Sequence, residues 1–168
     1  FREENPDVFF QVLDRREATK WDVCIRSTLP QYVFSNAVKL MEEPLCLAFH
    51  KDSWLSNMEK IKLSDIRNEK FVMLRSGGSI RTISDAIFEK EGIIPDIAFE
   101  CDTVNTLRRM VQEGLGVTIW PRYSWRDHLR SEKDFENVCY RPIDNNEFRR
   151  SLYLILQKDL KMTEELTK

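Results

Sequence analysis

Two hydrophobic periods alternate along this chain. Short apolar runs rich in β-branched and aromatic residues predict strands, and stretches whose apolar residues recur about every three or four positions predict helices. Val8 to Leu13 (VFFQVL) and Trp21 to Ile25 (WDVCI) are both short, β-rich and bounded by charge, so both read as strands. Only Asp14 to Lys20 lies between them, whereas a parallel crossover needs about 10 to 12 residues including its helix. Either the two runs form a hairpin, or chain is absent between them. Pro44 to Phe49 (PLCLAF), after Glu42 and Glu43, is almost continuously apolar and predicts a strand covered on both faces. Ser64, Asp65 and Ile66 make a short helical turn.

The middle of the chain repeats one theme. Phe71 to Leu74 (FVML) predicts a strand, and Arg75-Ser76-Gly77-Gly78-Ser79 a turn into a helix marked by Ile80, Ile83 and Ile87 and stopped at Gly92. Asp96 to Glu100 (DIAFE) is the next strand, followed by a helix on Val104, Leu107 and Val111 with Asp102 or Thr103 as N-cap and Gly114 as its stop. Gly116 to Trp120 (GVTIW) is a third strand, and Pro121 predicts the first turn of a further helix through about Leu129. Such alternation argues for a parallel, helix-covered sheet. Val138 to Ile143 (VCYRPI) and Leu152 to Leu156 (LYLIL) are the last strands, separated by the linker-like polar run Asp144 to Arg150. This order predicts a compact α/β lobe at 50–143, inserted into a first lobe made of 1–49 and 144–168.

Length and charge narrow the function classes. The 168 residues allow one ordinary domain or two small lobes. With 26 basic against 28 acidic residues and a net charge of -2, the chain is not built to wrap nucleic acid or anionic lipid. No window is long and apolar enough to span a membrane, and Phe1 opens straight into Arg2, Glu3 and Glu4 without a signal-peptide pattern. A soluble, cytoplasmic protein is expected. Cys24, Cys46, Cys101 and Cys139 stand far apart among apolar neighbours and form no CxxC pair. They read as buried free thiols, with a redox pair as the alternative, and neither a metal nor a cofactor is expected.

Three places carry candidate chemistry. At Ser76-Gly77-Gly78-Ser79, glycines let backbone N–H groups open where a helix begins, which favours a carboxylate or other small anion. The turn matches neither of the glycine patterns that cradle nucleotide phosphates. Asp102-Thr103 opens the next helix at the same sheet edge, and Arg26-Ser27-Thr28 follows the WDVCI strand. A simple capped turn is the competing account of the first two, and loop solvation that of the third. Catalysis is poorly supported, because no serine sits in a GxSxG elbow and His50 and His128 lack an acid partner at a recognisable spacing.

In their order, these motifs resemble the effector-binding domain of LysR-type bacterial transcriptional regulators. The resemblance runs through "WDVCI", "EEPLCLAFHKDSW", "KLSDIRNEKFVML", "SIRTISDAIFEKEGIIPDIAFE", "LRRMVQEGLGVTIWP" and "SLYLILQKD". It implies two Rossmann-like α/β lobes of periplasmic-binding-protein type, joined by two crossover strands, with a small effector in the cleft. The effector residues it implies are Ser27 and Thr28 from the first lobe and Gly78 and Ser79 from the second, with Ser76 and Thr103 at the same cleft. Arg26 or Arg81 would add charge. It further implies no enzymatic activity and a homodimer or tetramer. DNA would be contacted only through an N-terminal winged helix-turn-helix that these residues do not include.

Two departures mark a shortened domain: the family's first strand would lie before Phe1, and no helix separates VFFQVL from WDVCI. Rival readings are a solute-binding protein of a transport system, a redox-sensing regulator using a Cys pair, and a small Cys-His enzyme. The first would carry a secretory signal. The other two need an exposed, low-pKa thiol.

Overall fold

One long strand organises the fold in this computed structural model, which describes residues 21–125, 137–144 and 148–157, together with residues 3, 6, 9, 11 and 12. Strand β1 is Val23–Thr28 and β2 is Ala37–His50; β3 (Lys70–Leu74), α1 (Ser79–Lys90), β4 (Asp96–Cys101), α2 (Val104–Gln112) and β5 (Thr118–Pro121) follow. Strands β6 (Val138–Pro142) and β7 (Arg149–Leu156) close the order, and 3-10 turns lie at Trp54–Asn57 and Leu63–Ile66.

Strand β2 changes partners half-way. Its first half runs antiparallel to β7, from Ala37 opposite Ile155 to Pro44 opposite Arg149, and the other edge of β7 carries β1 antiparallel. Its second half lies between β5 and β6, antiparallel to both. The lead into β5 joins β3 in parallel at Phe71 and Val117, and β4 is parallel to β3 beyond it. The change-over occurs where Leu45 N donates to Phe148 O at 2.8 Å, so the chain departs along β2 and returns along β7 at one place.

The apolar run PLCLAF falls in this second half, and its continuity has the expected cause. Leu45, Leu47 and Phe49 point into one core with Ile80, Ile83, Ile87 and Phe88 of α1. Cys46 and Ala48 point the other way, into a core with Leu107 and Val111 of α2 and with Trp120. At roughly 1.5 to 3 kcal/mol for each fully buried large apolar side chain, these two layers dominate the stability of the sheet. Close approach at its centre needs Gly116, where a Cβ would lie 2.5 Å from Lys70 O.

Several expectations are corrected. The middle sheet is mixed, not parallel throughout, because β2 threads between β5 and β6 against their direction. The WDVCI strand continues to Thr28, since pairing with β7 holds as far as Thr28 opposite Ser151; Ser27 and Thr28 are strand residues, not a loop. Pro121 closes β5 opposite Leu45 instead of opening a helix, and Arg122 to Trp125 form a turn. The rest of the helix expected through Leu129, and His128, lie outside the described residues. Arg149 and Arg150 belong to β7, not to a linker. Of the expected strand Val8 to Leu13, the described positions Phe9, Gln11 and Val12 are exposed and form no strand; its other positions lie outside the described residues.

Candidate functional site

Strand β1 and the start of α1 face each other across a cavity of about 420 Å³. On the β1 side stand Arg26, Ser27 and Thr28, continued by Leu29, Tyr32 and Phe34 of the following loop. On the α1 side stand Gly77, Ser79, Thr82, Ile83 and Ala86. The wall is thus an apolar surface with a hydroxyl-bearing end.

The helix start is shaped by two glycines. Gly77 has φ +93°, a conformation that an L side chain rarely adopts. Gly78 is the N-cap and offers no side chain to the helix. The N–H groups of the first turn therefore have no side-chain cap and no intrahelical acceptor, and the helix dipole adds positive potential at this end.

Behind the hydroxyls runs a buried polar chain. Ser27 Oγ donates to Ser79 Oγ at 2.8 Å, and Arg150 Nη1 donates to Ser27 Oγ at 3.3 Å. Arg150 Nε donates to Glu43 Oε1 at 2.8 Å, and its Nη2 donates to Ser124 Oγ at 2.6 Å. The Arg150 side chain is 6% exposed and that of Glu43 is 0% exposed. Glu43 also accepts from the Ser124 hydroxyl at 2.7 Å and from the N–H groups of Tyr123 and Ser124, both at 2.9 Å. The guanidinium lies over the Trp125 ring, 5.8 Å from its centroid.

Desolvation alone would raise the pKa of Glu43, but the hydrogen bonds of Ser124, with Arg150 and the Tyr123 N–H, outweigh it and hold the carboxyl below its usual range. Burial draws the pKa of Arg150 down against the pull of Glu43, yet a guanidinium stays charged at any physiological pH.

Of the six effector residues read from the sequence, Ser27, Thr28 and Ser79 line the cavity. Ser76 and Gly78 lie in the turn before α1, beside Gly77, which takes the lining position. Thr103 is exposed and caps α2, accepting from Thr106 N at 3.1 Å. Arg26 stands exposed at the rim, whereas Arg81 is committed to Asp85, Glu100 and the Leu74 carbonyl. Sequence reasoning missed Arg150, Glu43 and Ser124. The signal for the first two was a double acid, Glu42-Glu43, and a double base, Arg149-Arg150, each at the polar end of an apolar strand. Antiparallel pairing sets Glu43 opposite Arg150.

The four thiols are free and differ in burial. Cys46 and Cys101 are buried, and Cys24 and Cys139 are partly so. Burial, and secondarily the charge of Asp102, pushes the Cys101 thiol up. Strands β3 and β5 separate β4 from β2, about 14 Å at the usual strand spacing, so Cys46 and Cys101 are too far apart to bridge.

Comparison with known proteins agrees with this architecture. The hydrogen peroxide-inducible genes activator of Pectobacterium carotovorum subsp. carotovorum is 30% identical over 145 residues, which is 86% of this chain and 47% of that protein. The chain thus spans about half the length of such relatives. Among solved structures, the effector binding domain of QuiR in complex with shikimate superposes with a TM-score of 0.70 at 19% identity, covering 88% of this chain and 67% of that one. The regulatory domain of Synechocystis PCC6803 CcmR in complex with 2-PG gives 0.71 at 18%, covering 87% and 68%. Both likenesses show the periplasmic-binding-protein-like fold. The sequence model of the LysR substrate binding domain matches residues 1–167, and the chain belongs to that family.

Proposed function

We propose that this chain is the ligand-sensing part of a LysR-type transcriptional regulator, and that a small anionic effector occupies the cavity between β1 and α1. The observation that carries this reading is the Ser27–Ser79 hydroxyl pair at the mouth of an uncapped helix, facing an apolar wall in a cavity of about 420 Å³. Hydroxyls and first-turn N–H groups bind carboxylates or phosphates through neutral hydrogen bonds aided by the dipole. Bound shikimate and 2-PG in the two structural relatives support the same ligand class. Effector binding would modulate DNA contacts made by another part of a cytoplasmic homodimer or tetramer, without enzymatic chemistry. The change of partners along β2 supports a two-lobe division close to 1–49 plus 144–168 and 50–143.

The test is a thermal-shift screen against small carboxylates, aromatic acids, amino acids and inorganic anions. A ligand at 100 times its Kd adds about 2.7 kcal/mol to folding stability. Ser79→Ala and Thr28→Ala should each weaken the shift. A hit that neither substitution touches would place the ligand elsewhere. The hydrogen peroxide-inducible activators among the relatives favour redox sensing as a second reading, with less support from Cys46 and Cys101, which are buried and separated. Treatment with hydrogen peroxide followed by intact-mass measurement should leave Cys46 and Cys101 unbridged.

A further inference from the structure

Arg150 lies outside the cavity wall, yet the hydrogen-bond chain gives it control over what the wall presents. A guanidinium has five N–H donors and no acceptor. The bond between Arg150 and Ser27 therefore fixes Ser27 Oγ as the acceptor. The two serine hydroxyls keep two protons, and one of these is spent between them. The other proton stays available to a ligand, and because Arg150 occupies one lone pair of Ser27 Oγ, the hydroxyl end keeps fewer acceptor sites for a ligand's own donors.

Charge points the same way. Strand β7 lies between β1 and β2, so the Arg150 cation sits nearer the cavity than the Glu43 carboxylate. Glu43 spends its oxygens on Arg150, Ser124 and the Tyr123 N–H. The pair is a buried dipole with its positive end behind Ser27. No acidic residue lines the cavity among the described residues, while Arg26 stands at its rim.

From this geometry we infer that Arg150 is the specificity-determining positioning residue of the cavity. Through Ser27 it selects an effector that offers negatively charged acceptor oxygens and rejects neutral, donor-bearing isosteres. The inference rests on the proposed effector reading and adds to it a residue and a chemical class. The occupant is an organic carboxylate whose apolar body lies against Tyr32, Phe34 and Ile83.

The test measures Kd for benzoate and shikimate, each against its primary amide, by calorimetric titration and thermal shift. At least one acid should bind the unsubstituted chain 10-fold or more tightly than its amide. Glu43→Gln with Arg150→Gln removes the dipole without stranding a buried charge, and the acid-to-amide ratio should then fall below about 3. A merely structural role would lower the melting temperature and leave that ratio unchanged, which overturns the inference. Should the double variant not fold, Ser27→Ala cuts the link with the ion pair intact, and retention of the full ratio there is equally fatal. Amides that bind the unsubstituted chain as well as the acids overturn the inference alone. If another carboxylate of the wider screen binds instead, the same comparison is made with its amide; if the only binders are not carboxylates, the carboxylate assignment falls but the cavity reading stands; if nothing at all binds, both fall.

Discussion

Glu43 shows how one side chain ties stability to pH. Its carboxyl is held below the usual range in the folded chain, so the unfolded state binds more protons as acid approaches. The stability it contributes is complete above its unfolded pKa of about 4.3 and is lost as pH falls through the lower folded value. Glu43→Gln strands the Arg150 charge and should cost about 3 to 5 kcal/mol at pH 7. Urea titrations from pH 7 downward should show this difference narrowing below about pH 4.3. Gly116 makes a prediction of a different kind, because a methyl group there meets a backbone oxygen of β3 that cannot move aside. Gly116→Ala should cost about 1 to 3 kcal/mol, seen as a lower urea midpoint with an unchanged m-value.

At the scale of elements, the two helix starts look alike in sequence and differ in what they do. Thr103 closes the first turn of α2 with its own hydroxyl, whereas Gly78 leaves that of α1 without a side-chain cap. Thr103→Ala should therefore cost about 1 kcal/mol of stability and leave the Kd of any ligand found in the screen unchanged. Both helices were legible in the sequence, because Ile80, Ile83, Ile87 and Leu107, Val111 recur at a helical period and bury the faces they predict. The strands were legible as runs but not in their reach. Pairing partners extend β1 to Thr28 and β2 back to Ala37, and no local period signals a register. For the same reason Ser27 and Ser79 could be named from motif order, while Glu43 and Arg150 needed the antiparallel alignment of strands 107 residues apart.

For the whole molecule, the decisive geometry is the meeting of Leu45 and Phe148. The described residues between them leave the first sheet along β2 and return along β7 at this hydrogen bond, which supports the proposed reading of the enclosed stretch as a cassette spliced into a smaller host. Closing a loop costs free energy only as the logarithm of its length, which makes a long insert at such a point hardly dearer than a short one. The same junction is a ready cut for the engineer. Residues 45–148, joined end to end by a short Gly-Ser splice, should fold alone with one cooperative urea transition, carrying both apolar layers but not Ser27. A cassette exchanged at this junction would have to bring its own partners for Ser27, Glu43 and Arg150, which stay with the host, much as a new lock's barrel must fit the old door.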